Sequence, residues 1–315
     1  MRIVFLGTPE IAVKTLEALI SSKHTIACVV CQPDKESGRG KKIVFSPVKS
    51  VALAHNVPVY QFNKIRKEGV NALKELNADI FITFAYGQIL SQEILDIAPL
   101  GTINIHASLL PKYRGAAPIN WAIINGETLT GITIMHTAAG IDNGDIICKK
   151  EIEISETENS AELSEKIATI APEFLLETLD LIEKGTSPRT SQIESESTYF
   201  PMLKKEDGKL WLEKSAKEVV NQIRGMTPSP SAYVRLDEKE FKVFSAKVKT
   251  DIPSTKVCGT VLVSSSKQGL VLSCGNNECV ELLEIQAPNG KRMTAKAYLC
   301  GKTINVGEVA KWKSI

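Results

Sequence analysis

Short apolar segments alternate with amphipathic ones through the first half of this 315-residue chain. Most of the apolar segments have no polar face, as expected of strands in a parallel sheet that helices cover on both sides. Residue spacing predicts helices over 9–22 and 46–55, with Ser46 as N-cap and Pro47 in the first helical position. The pattern indicates an α/β domain with a Rossmann-like parallel sheet. We predict its strands at 2–7, 24–30, 57–60, 78–85, 102–108 and 130–137.

A long amphipathic helix marks the end of this domain. Residues 159–185 carry one apolar stripe, with Asn159 and Glu162 as a capping box at the start and Gly185 as the stop. The polar residues 186–207 show no periodicity. We therefore predict a first domain over 1–185 and a linker over 186–207.

The last third of the chain has a different pattern. After a predicted helix at 215–225, short alternating segments follow one another between Gly, Asn and Ser turns. Several strands at this spacing are typical of a small barrel, so we predict an OB-like β-barrel domain over 208–315. The segments lie at 231–236, 241–248, 259–266, 269–274, 279–286 and 298–309.

The net charge of +2 hides an uneven distribution. Residues 1–207 hold 21 Lys and Arg against 26 Asp and Glu, whereas residues 208–315 hold 17 against 10. This asymmetry favours a polyanionic partner for the C-terminal part, and a chance bias of surface charge is the alternative. Small barrels of the OB type commonly bind nucleic acid.

Cysteine use and the lack of long apolar stretches indicate a cytoplasmic protein. The seven cysteines are scattered, and the sequence opens into a strand rather than a signal peptide. No stretch approaches the roughly 18 apolar residues of a membrane span. Cys28 and Cys31 form a C-x-x-C pair without a second pair at zinc-binding spacing. We expect ordinary buried thiols and no metal, with a metal or redox role as the alternative.

Two polar residues interrupt the predicted strand at 102–108. Asn104 and His106 are two residues apart, so they point to one face near the carboxyl end, where open α/β sheets bind ligands. Asp142 follows the next strand in a Gly-flanked turn that can return its carboxylate across the sheet edge. An oxyanion-binding amide, a proton-carrying imidazole and an orienting carboxylate suit direct acyl transfer between two substrates. A hydrogen-bonded polar cluster in the core is the alternative.

The turn after the first strand argues against a dehydrogenase. It holds a single glycine followed by Thr8-Pro9, and no acidic residue closes the next strand in a ribose-binding position. The dinucleotide-binding fingerprint is therefore missing.

Five segments of the chain jointly resemble the folate-dependent formyltransferases. They are RIVFLGTPEIAV, QPDKESGRGKK, TFAYGQILSQEIL, GTINIHASLLPKYRGAAPINWAIINGE and TGITIMHTAAGIDNGDII. The combination of Asn, His and SLLP is specific for this family. The PDKESGRGKK loop and the basic C-terminal domain make the chain most similar to members that act on methionyl initiator tRNA.

The resemblance implies a reaction and a set of residues. A formyl group would pass from the co-substrate 10-formyltetrahydrofolate to the α-amine of methionyl initiator tRNA, giving formylmethionyl-tRNA for translation initiation. Asn104, His106 and Asp142 match the catalytic residues, and alanine at Asn104 or His106 should lower the rate at least about tenfold. The residues implied to contact folate are Ser108, Leu109, Leu110, Pro111, Tyr86, Gly87, Gln88, Ile89 and Leu90.

Two positions depart from the commonest form of the family. Asn143 stands where Thr is usual, and Tyr113 stands where Trp is frequent. We expect these changes to alter loop packing alone. Lys112 and Arg114, at the end of the motif, are expected either to face phosphate on the rim or to hold the turn.

A basic loop at 34–47 is implied to contact the acceptor end of tRNA. Its cations are Lys35, Arg39, Lys41 and Lys42, with Arg39 assigned to discrimination and the lysines to phosphate. A solvated charged loop is the alternative. Weaker candidates for the tRNA body are Lys204 and Lys205 in the linker, and Arg224, Lys247, Lys249, Lys291 and Arg292; charges that serve only solubility are the alternative. We expect a monomer that does not bind membranes.

Two other functions remain open. A folate formyltransferase acting on a small amine, such as glycinamide ribonucleotide or an amino-sugar nucleotide, predicts the same three catalytic residues without needing the basic loop and domain. A non-catalytic RNA-binding protein on the same scaffold is expected to lack one of Asn104, His106 and Asp142.

Overall fold

The computed structural model describes residues 1–37 and 42–311. Over these ranges the chain divides into two compact units, each built from three stretches of sequence. The first unit comprises Met1–Gly115, Leu129–Glu153 and Ser164–Phe200. The second unit comprises Ala116–Thr128, Ile154–Leu163 and Pro201–Ile315.

The first unit is built on a mostly parallel sheet. Its strands are β1 (Arg2–Gly7), β2 (Thr25–Cys31), β3 (Lys35–Ser37), β4 (Lys42–Val44), β5 (Val59–Gln61), β6 (Ile80–Phe84), β7 (Thr102–His106), β8 (Arg114–Gly115), β9 (Leu129–His136), β10 (Ile146–Glu153) and β11 (Tyr199–Phe200). In the described part of the chain, seven of them form the main sheet in the order β10-β9-β7-β6-β1-β2-β5. The short strands pair separately, β3 with β4 and β8 with β11.

Two strands differ from the parallel sheet that the sequence predicts. Five neighbouring strands of the main sheet, β7, β6, β1, β2 and β5, run parallel to one another. The next strand, β9, is antiparallel to both of its neighbours, β7 and β10. The connection 137–145 between β9 and β10 is too short for a helical crossover, so the two strands form a hairpin. The sequence prediction missed β10 because this edge strand exposes Lys149, Glu151 and Glu153 and therefore lacks a continuous apolar run.

Two helices begin at the caps that the sequence predicts, at Ser46 and Asn159, whereas the helix predicted over 9–22 is α-helical only over Val13–Ile20, after a 3-10 turn at Glu10–Ala12. The helices are α1 (Val13–Ile20), α2 (Pro47–Ala54), α3 (Ile65–Glu68), α4 (Val70–Lys74), α5 (Gln92–Leu95), α6 (Pro118–Ile124), α7 (Ser160–Glu183), α8 (Ala216–Met226) and α9 (Ala295–Leu299). The Ser46 hydroxyl accepts the backbone N–H of Lys49 at the start of α2. Asn159 and Glu162 form the predicted reciprocal cap of α7. Within the described ranges, no helix combines the length and apolar character that crossing a membrane requires.

The second unit contains an antiparallel sheet. Its strands are β12 (Ala232–Leu236), β13 (Lys239–Lys249), β14 (Val261–Ser265), β15 (Gly269–Ser273), β16 (Cys279–Gln286) and β17 (Met293–Thr294). Five of these strands follow the order β12-β13-β16-β15-β14 in the residues that the structure describes, and β17 pairs with β16. The helix α8 packs its apolar face, including Val219 and Ile223, into the core beside this sheet. The OB-like closure of the sheet stays a prediction.

One predicted strand of this unit is wrong. The segment 298–309 contains the end of α9 and then a loop, and Val309 makes only an isolated bridge to Thr260. The Thr294 hydroxyl accepts the backbone N–H of Ala297 and so caps α9. A local capping signal therefore outweighs the alternation of apolar residues in this segment.

The cysteine pair lies inside the first unit. Cys28 and Cys31 are on β2, and neither has an exposed surface. Burial raises the pKa of the Cys28 thiol to about 12 and also raises the pKa of the Cys31 thiol. Both thiols are therefore inert in the folded protein.

Iodoacetamide at pH 8 should modify Cys300 quickly and leave Cys28 and Cys31 unmodified in the folded protein. Cys300 is exposed, whereas a thiol with a pKa near 12 is only ~10⁻⁴ thiolate at this pH. Mass spectrometry of proteolytic digests measures each site. In guanidinium chloride all three cysteines should react, and fast labelling of Cys28 without denaturant would contradict the buried position.

Candidate active site

The carboxyl end of β7 presents the two polar side chains that interrupt its apolar pattern. Asn104 is half-buried and His106 is 6% exposed. Since they are two residues apart on a strand, both side chains lie on the same face. The strand sits between β6 and β9, so both side chains have neighbours on either side of them.

A threonine on the adjacent strand orients the Asn104 amide. Thr83 lies opposite Asn104 in the parallel pairing of β6 with β7. Its hydroxyl donates to Oδ1 of Asn104 at 2.7 Å. The amide nitrogen of Asn104 donates no hydrogen bond to any described residue, so its N–H groups remain available to a ligand.

The two nitrogens of His106 have different partners. Nε2 lies 2.9 Å from the backbone oxygen of Tyr113. Because a carbonyl oxygen accepts only, Nε2 must carry the proton, and Nδ1 is the basic nitrogen of the neutral ring. Nδ1 lies 3.7 Å from Oδ2 of Asp142. A proton can therefore enter the ring on the side of this carboxylate.

Asp142 lies in the hairpin connection 137–145, as the Gly-flanked turn suggests. Its φ of 50° is left-handed, which costs an L-residue roughly 1–2 kcal/mol and is best tolerated by Asn, Asp and Gly. Two hydrogen bonds hold it there. Oδ2 accepts the backbone N–H of Gly115 at 2.8 Å, and the backbone oxygen accepts Nε2 of Gln192 at 2.8 Å.

The segment SLLP forms a corner that is mostly turned inward. The Ser108 hydroxyl donates to the backbone oxygen of Lys112, and Leu110 packs with Met135 and Ile146. Leu109 and Pro111 are half-buried. Of the four residues implied to contact folate here, these two therefore offer side-chain surface, while Ser108 and Leu110 support the corner.

The other implied folate segment presents mainly its backbone. Tyr86 and Leu90 lie in the core of the first unit. The Gln88 side chain accepts the N–H of Ile65 and donates to the backbone oxygen of Phe62. Its exposed residues are Ala85, Gly87 and Ile89. The surface here therefore consists of peptide groups beside the apolar side chains of Ala85 and Ile89.

The turn after β1 supports this segment. The backbone oxygen of Tyr86 accepts the Thr8 hydroxyl at 3.1 Å and Nε2 of Gln32 at 3.0 Å. Thr8 and Gln32 follow β1 and β2, so the ends of three parallel strands meet here. Sequence reasoning gave Gln32 no role, because a single glutamine after a strand is no motif.

Arg114 is not on the rim. Its side chain is 1% exposed, which rules out the alternative in which it faces phosphate and favours the one in which it holds the turn. Lys112 is exposed. Tyr113, one of the two departures from the family pattern, stacks its ring on Phe200 with centroids 4.9 Å apart, and the other, Asn143, is exposed.

The basic loop is described only in part. Lys35 is exposed on β3, and Lys42 begins β4. Arg39 and Lys41 lie outside the described residues. The strand β4 and the residue after it expose Ile43, Val44 and Phe45, so apolar surface accompanies the charge of this hairpin.

The cations of the second unit differ in their availability. Lys204 and Lys205 are exposed, and Lys205 lies 3.5 Å from Glu240. Arg224 is half-buried, and its guanidinium donates to the backbone oxygens of Ser155 and Glu158. Three other candidates for tRNA contacts form ion pairs. Lys247 and Lys249 pair with the buried Glu281, and Arg292 pairs with Glu284.

No metal site was expected. Among residues 1–37 and 42–311, no group of three or more His, Cys, Asp and Glu side chains is arranged to hold a metal ion.

Comparison with known proteins places these features in a family. The formyl transferase family model matches residues 1–179, and the model of the formyl transferase C-terminal domain matches residues 202–303. The N-formyltransferase of Helicobacter canadensis, solved with folinic acid and dTDP-3-aminofucose, aligns with a TM-score of 0.67 and 18% identity. That alignment covers 89% of this chain and 98% of the other, and it shows a shared fold.

Two relatives align over almost their whole length. The methionyl-tRNA formyltransferase of Clostridioides difficile is 48% identical, and that of Acetivibrio thermocellus is 47% identical. Both alignments cover 98% of this chain and 99% of the relative. Together with the two domain matches, this similarity shows that the chain belongs to the methionyl-tRNA formyltransferase family of enzymes.

Proposed function

We propose that this protein transfers the formyl group of 10-formyltetrahydrofolate to the α-amino group of methionyl initiator tRNA. The observation that carries the proposal is the convergence of Asn104, His106 and Asp142 at the carboxyl end of β7. The product is formylmethionyl-tRNA, which begins translation. The protein acts as a cytoplasmic monomer.

The reaction proceeds by direct attack of the neutral amine on the formyl carbon. The new carbon–nitrogen bond forms as the carbonyl oxygen becomes an oxyanion, which the free N–H groups of Asn104 stabilise. The bond to N10 of the folate then breaks, and this nitrogen receives a proton while the amine loses one. No covalent enzyme intermediate is needed.

His106 carries the proton through Nδ1. Since Nε2–H is bound to the oxygen of Tyr113, Nδ1 takes the amine proton and returns it to the leaving nitrogen. Asp142 stabilises the imidazolium that forms, because its carboxylate faces the same nitrogen. Nδ1 of His106 and Oδ2 of Asp142 are 3.7 Å apart, so the two side chains can move closer together when the imidazole becomes positively charged.

The folate binds across the loops after β6 and β7. Peptide groups at 85–89 are suited to the hydrogen-bonding edge of a pterin, and Ile89, Leu109 and Pro111 supply apolar surface. Tyr86, Gln88 and Leu90 hold the backbone of this segment, which includes Gly87, in place. Ser108 and Leu110 hold the corner that follows β7.

The tRNA binds to basic surface in both parts of the chain. Residues 1–185 form the catalytic domain, residues 186–207 the connection, and residues 208–315 an OB-like domain for the tRNA body. The exposed Lys35 and the cations Arg39, Lys41 and Lys42 contact the acceptor end, with Lys204 and Lys205 as further contacts. The positive balance of residues 208–315 supports this division.

The test of this function is a comparison of acceptors. The protein and 10-formyltetrahydrofolate are incubated separately with methionyl initiator tRNA, glycinamide ribonucleotide and an amino-sugar nucleotide, and the formylated products are measured. Formylation of the tRNA alone is expected. Turnover of a small amine in preference to the tRNA would contradict the proposal.

Lys35→Glu should raise the KM for methionyl initiator tRNA by about three- to tenfold and leave kcat unchanged. A lysine on phosphate contributes charge but no chemistry, and its loss should reduce the slope of log affinity against log salt by about one. Initial rates at several salt concentrations measure both quantities.

Lys184→Glu is the matched control. Lys184 is exposed and lies away from the site. Its neighbour Glu183 places Oε1 3.6 Å from the amino group of Met1, which is at the end of β1 opposite the site. Lys184→Glu makes the same charge change and should leave the KM and the salt slope as in the wild type. Equal effects of the two variants would show that Lys35 acts only through net charge.

A further inference from the structure

We propose that Gln192 and Arg114 are positioning residues that hold Asp142 against His106. The inference rests on the proposed function, since it assigns Asp142 a role in formyl transfer. The contacts that carry the inference are all made to other residues of the chain. Gln192 lies in the segment 190–200, which carries no recognisable motif, and Arg114 binds the same segment through Glu194 and Tyr199.

Gln192 spans the connection that carries Asp142. Its Nε2 donates to the backbone oxygen of Asp142 and to that of Gly144, both at 2.8 Å. The amide has two hydrogens, and each meets one carbonyl. One side chain therefore binds the connection at two points, at Asp142 itself and two residues beyond it.

The orientation of this amide is determined by its partners. Its Oε1 accepts Nε–H of Arg114 at 3.0 Å. The carbonyl oxygens of Asp142 and Gly144 require a donor, and the guanidinium of Arg114 requires an acceptor. If the amide were rotated by 180°, its oxygen would face the two carbonyl oxygens and its NH₂ group would face the guanidinium, so all three hydrogen bonds would be lost. Arg114 thereby selects the orientation in which Gln192 can bind the Asp142 turn.

Arg114 is itself held rigidly. Its side chain is the largest fully buried one in the described part of the chain. One of its terminal nitrogens, Nη1, lies 2.8 Å from Oε2 of Glu194 and 3.0 Å from the Tyr199 hydroxyl. Its backbone N–H donates to the oxygen of Thr198. A buried guanidinium needs this pairing, because an unpaired buried charge is strongly unfavourable.

Gln192 and the strand that carries Arg114 together hold the backbone oxygen and Oδ2 of Asp142. Gln192 binds its backbone oxygen, and β8 places Gly115, which follows Arg114, so that its N–H donates to Oδ2. Asp142 has a left-handed backbone, which relaxes readily when such contacts are removed. Loss of the Gln192 amide should therefore release the carboxylate from Nδ1 of His106.

The experiment uses Gln192→Met, which keeps the length of the side chain but cannot donate to the two carbonyls. With methionyl initiator tRNA and 10-formyltetrahydrofolate we expect kcat to fall about tenfold, and each KM to stay within about twofold. In an Asp142→Asn background the same change should add less than about a twofold loss, because its effect passes through that carboxylate.

Gln222→Met is the matched control. Gln222 is fully buried in the second unit, where its amide also donates to two backbone oxygens, those of Asp207 and Lys209. This variant should lose thermal stability in the same way but keep the wild-type kcat.

Glu194→Gln is a milder test of the pair, because it changes an exposed side chain that accepts a hydrogen bond from Arg114. It should lower kcat by about two- to threefold with unchanged KM values.

A measurement without substrates separates this inference from the proposed function. Hydrogen exchange of the Gly115 amide, followed by NMR, should accelerate at least about tenfold in Gln192→Met while amides in the middle of β6 and β7 keep their rates. Wild-type protein that formylates no substrate would overturn the function and leave this exchange result standing. Unchanged exchange at Gly115, or equal kcat losses in Gln192→Met and Gln222→Met, would overturn the positioning role.

Discussion

Alanine in place of His106 should lower kcat for formylation of methionyl initiator tRNA by about 10²–10⁴, the usual contribution of a positioned acid–base group. The variant retains Asn104 and the folate surface, so the KM for 10-formyltetrahydrofolate should change little. Among the described residues, the wild-type imidazole makes one hydrogen bond, to the oxygen of Tyr113, so removal of the ring should reduce stability only modestly.

The measurement is a steady-state assay with saturating substrates, accompanied by a thermal melt. His55→Ala is the control, because His55 is exposed at the end of α2 and has no part in the proposed chemistry. Rescue by added imidazole would support an acid–base role for this ring. A His106→Ala enzyme with near-wild-type kcat would exclude the proposed acid–base role.

Alanine in place of Asn104 should lower kcat by about 10²–10³, the cost of losing one oxyanion donor. The amide N–H groups are the donors of Asn104 that no described residue uses, and they act on charge that exists only in the transition state. Substrate binding should therefore be close to normal. The rate of single turnover with bound substrates measures the chemical step directly.

Two further variants at this pair sharpen the result. Asn104→Asp keeps the shape of the side chain but replaces the donors with a negative charge, so it should be at least as slow as Asn104→Ala. Thr83→Val removes the hydroxyl that holds Oδ1 while keeping the amide, and a smaller loss of about tenfold is expected. If Asn104→Asp turned over as fast as the wild type, the oxyanion assignment would be wrong.

Local patterns accounted for much of the first unit. A period of two puts Asn104 and His106 on one face of β7, and a Gly-flanked turn places Asp142 beyond β9; both relations hold in the structure. The caps at Ser46 and Asn159 are also correct. These features depend on residues within a few positions of one another, so a single sequence contains them.

The direction of strands was less accessible. The sequence predicts a parallel sheet, whereas β9 and β10 form an antiparallel hairpin at its edge. Apolar periodicity identifies a strand but does not give its direction, which depends on the path of the chain between strands. The segment 298–309 is a different error: its alternation of apolar residues predicts a strand, although the Thr294 cap starts α9 and the first residues of the segment belong to that helix.

By itself, then, the sequence determined the alternation of elements and the chemical types at the site: an amide and an imidazole on one strand, and a carboxylate in a glycine-bounded turn. Only the tertiary structure decided which nitrogen of His106 is free and what Arg114 does. The first depends on the oxygen of Tyr113, and the second on Gln192, which is 78 residues away. Contacts over such distances arise from how the chain returns on itself, and no local spacing of residues encodes them.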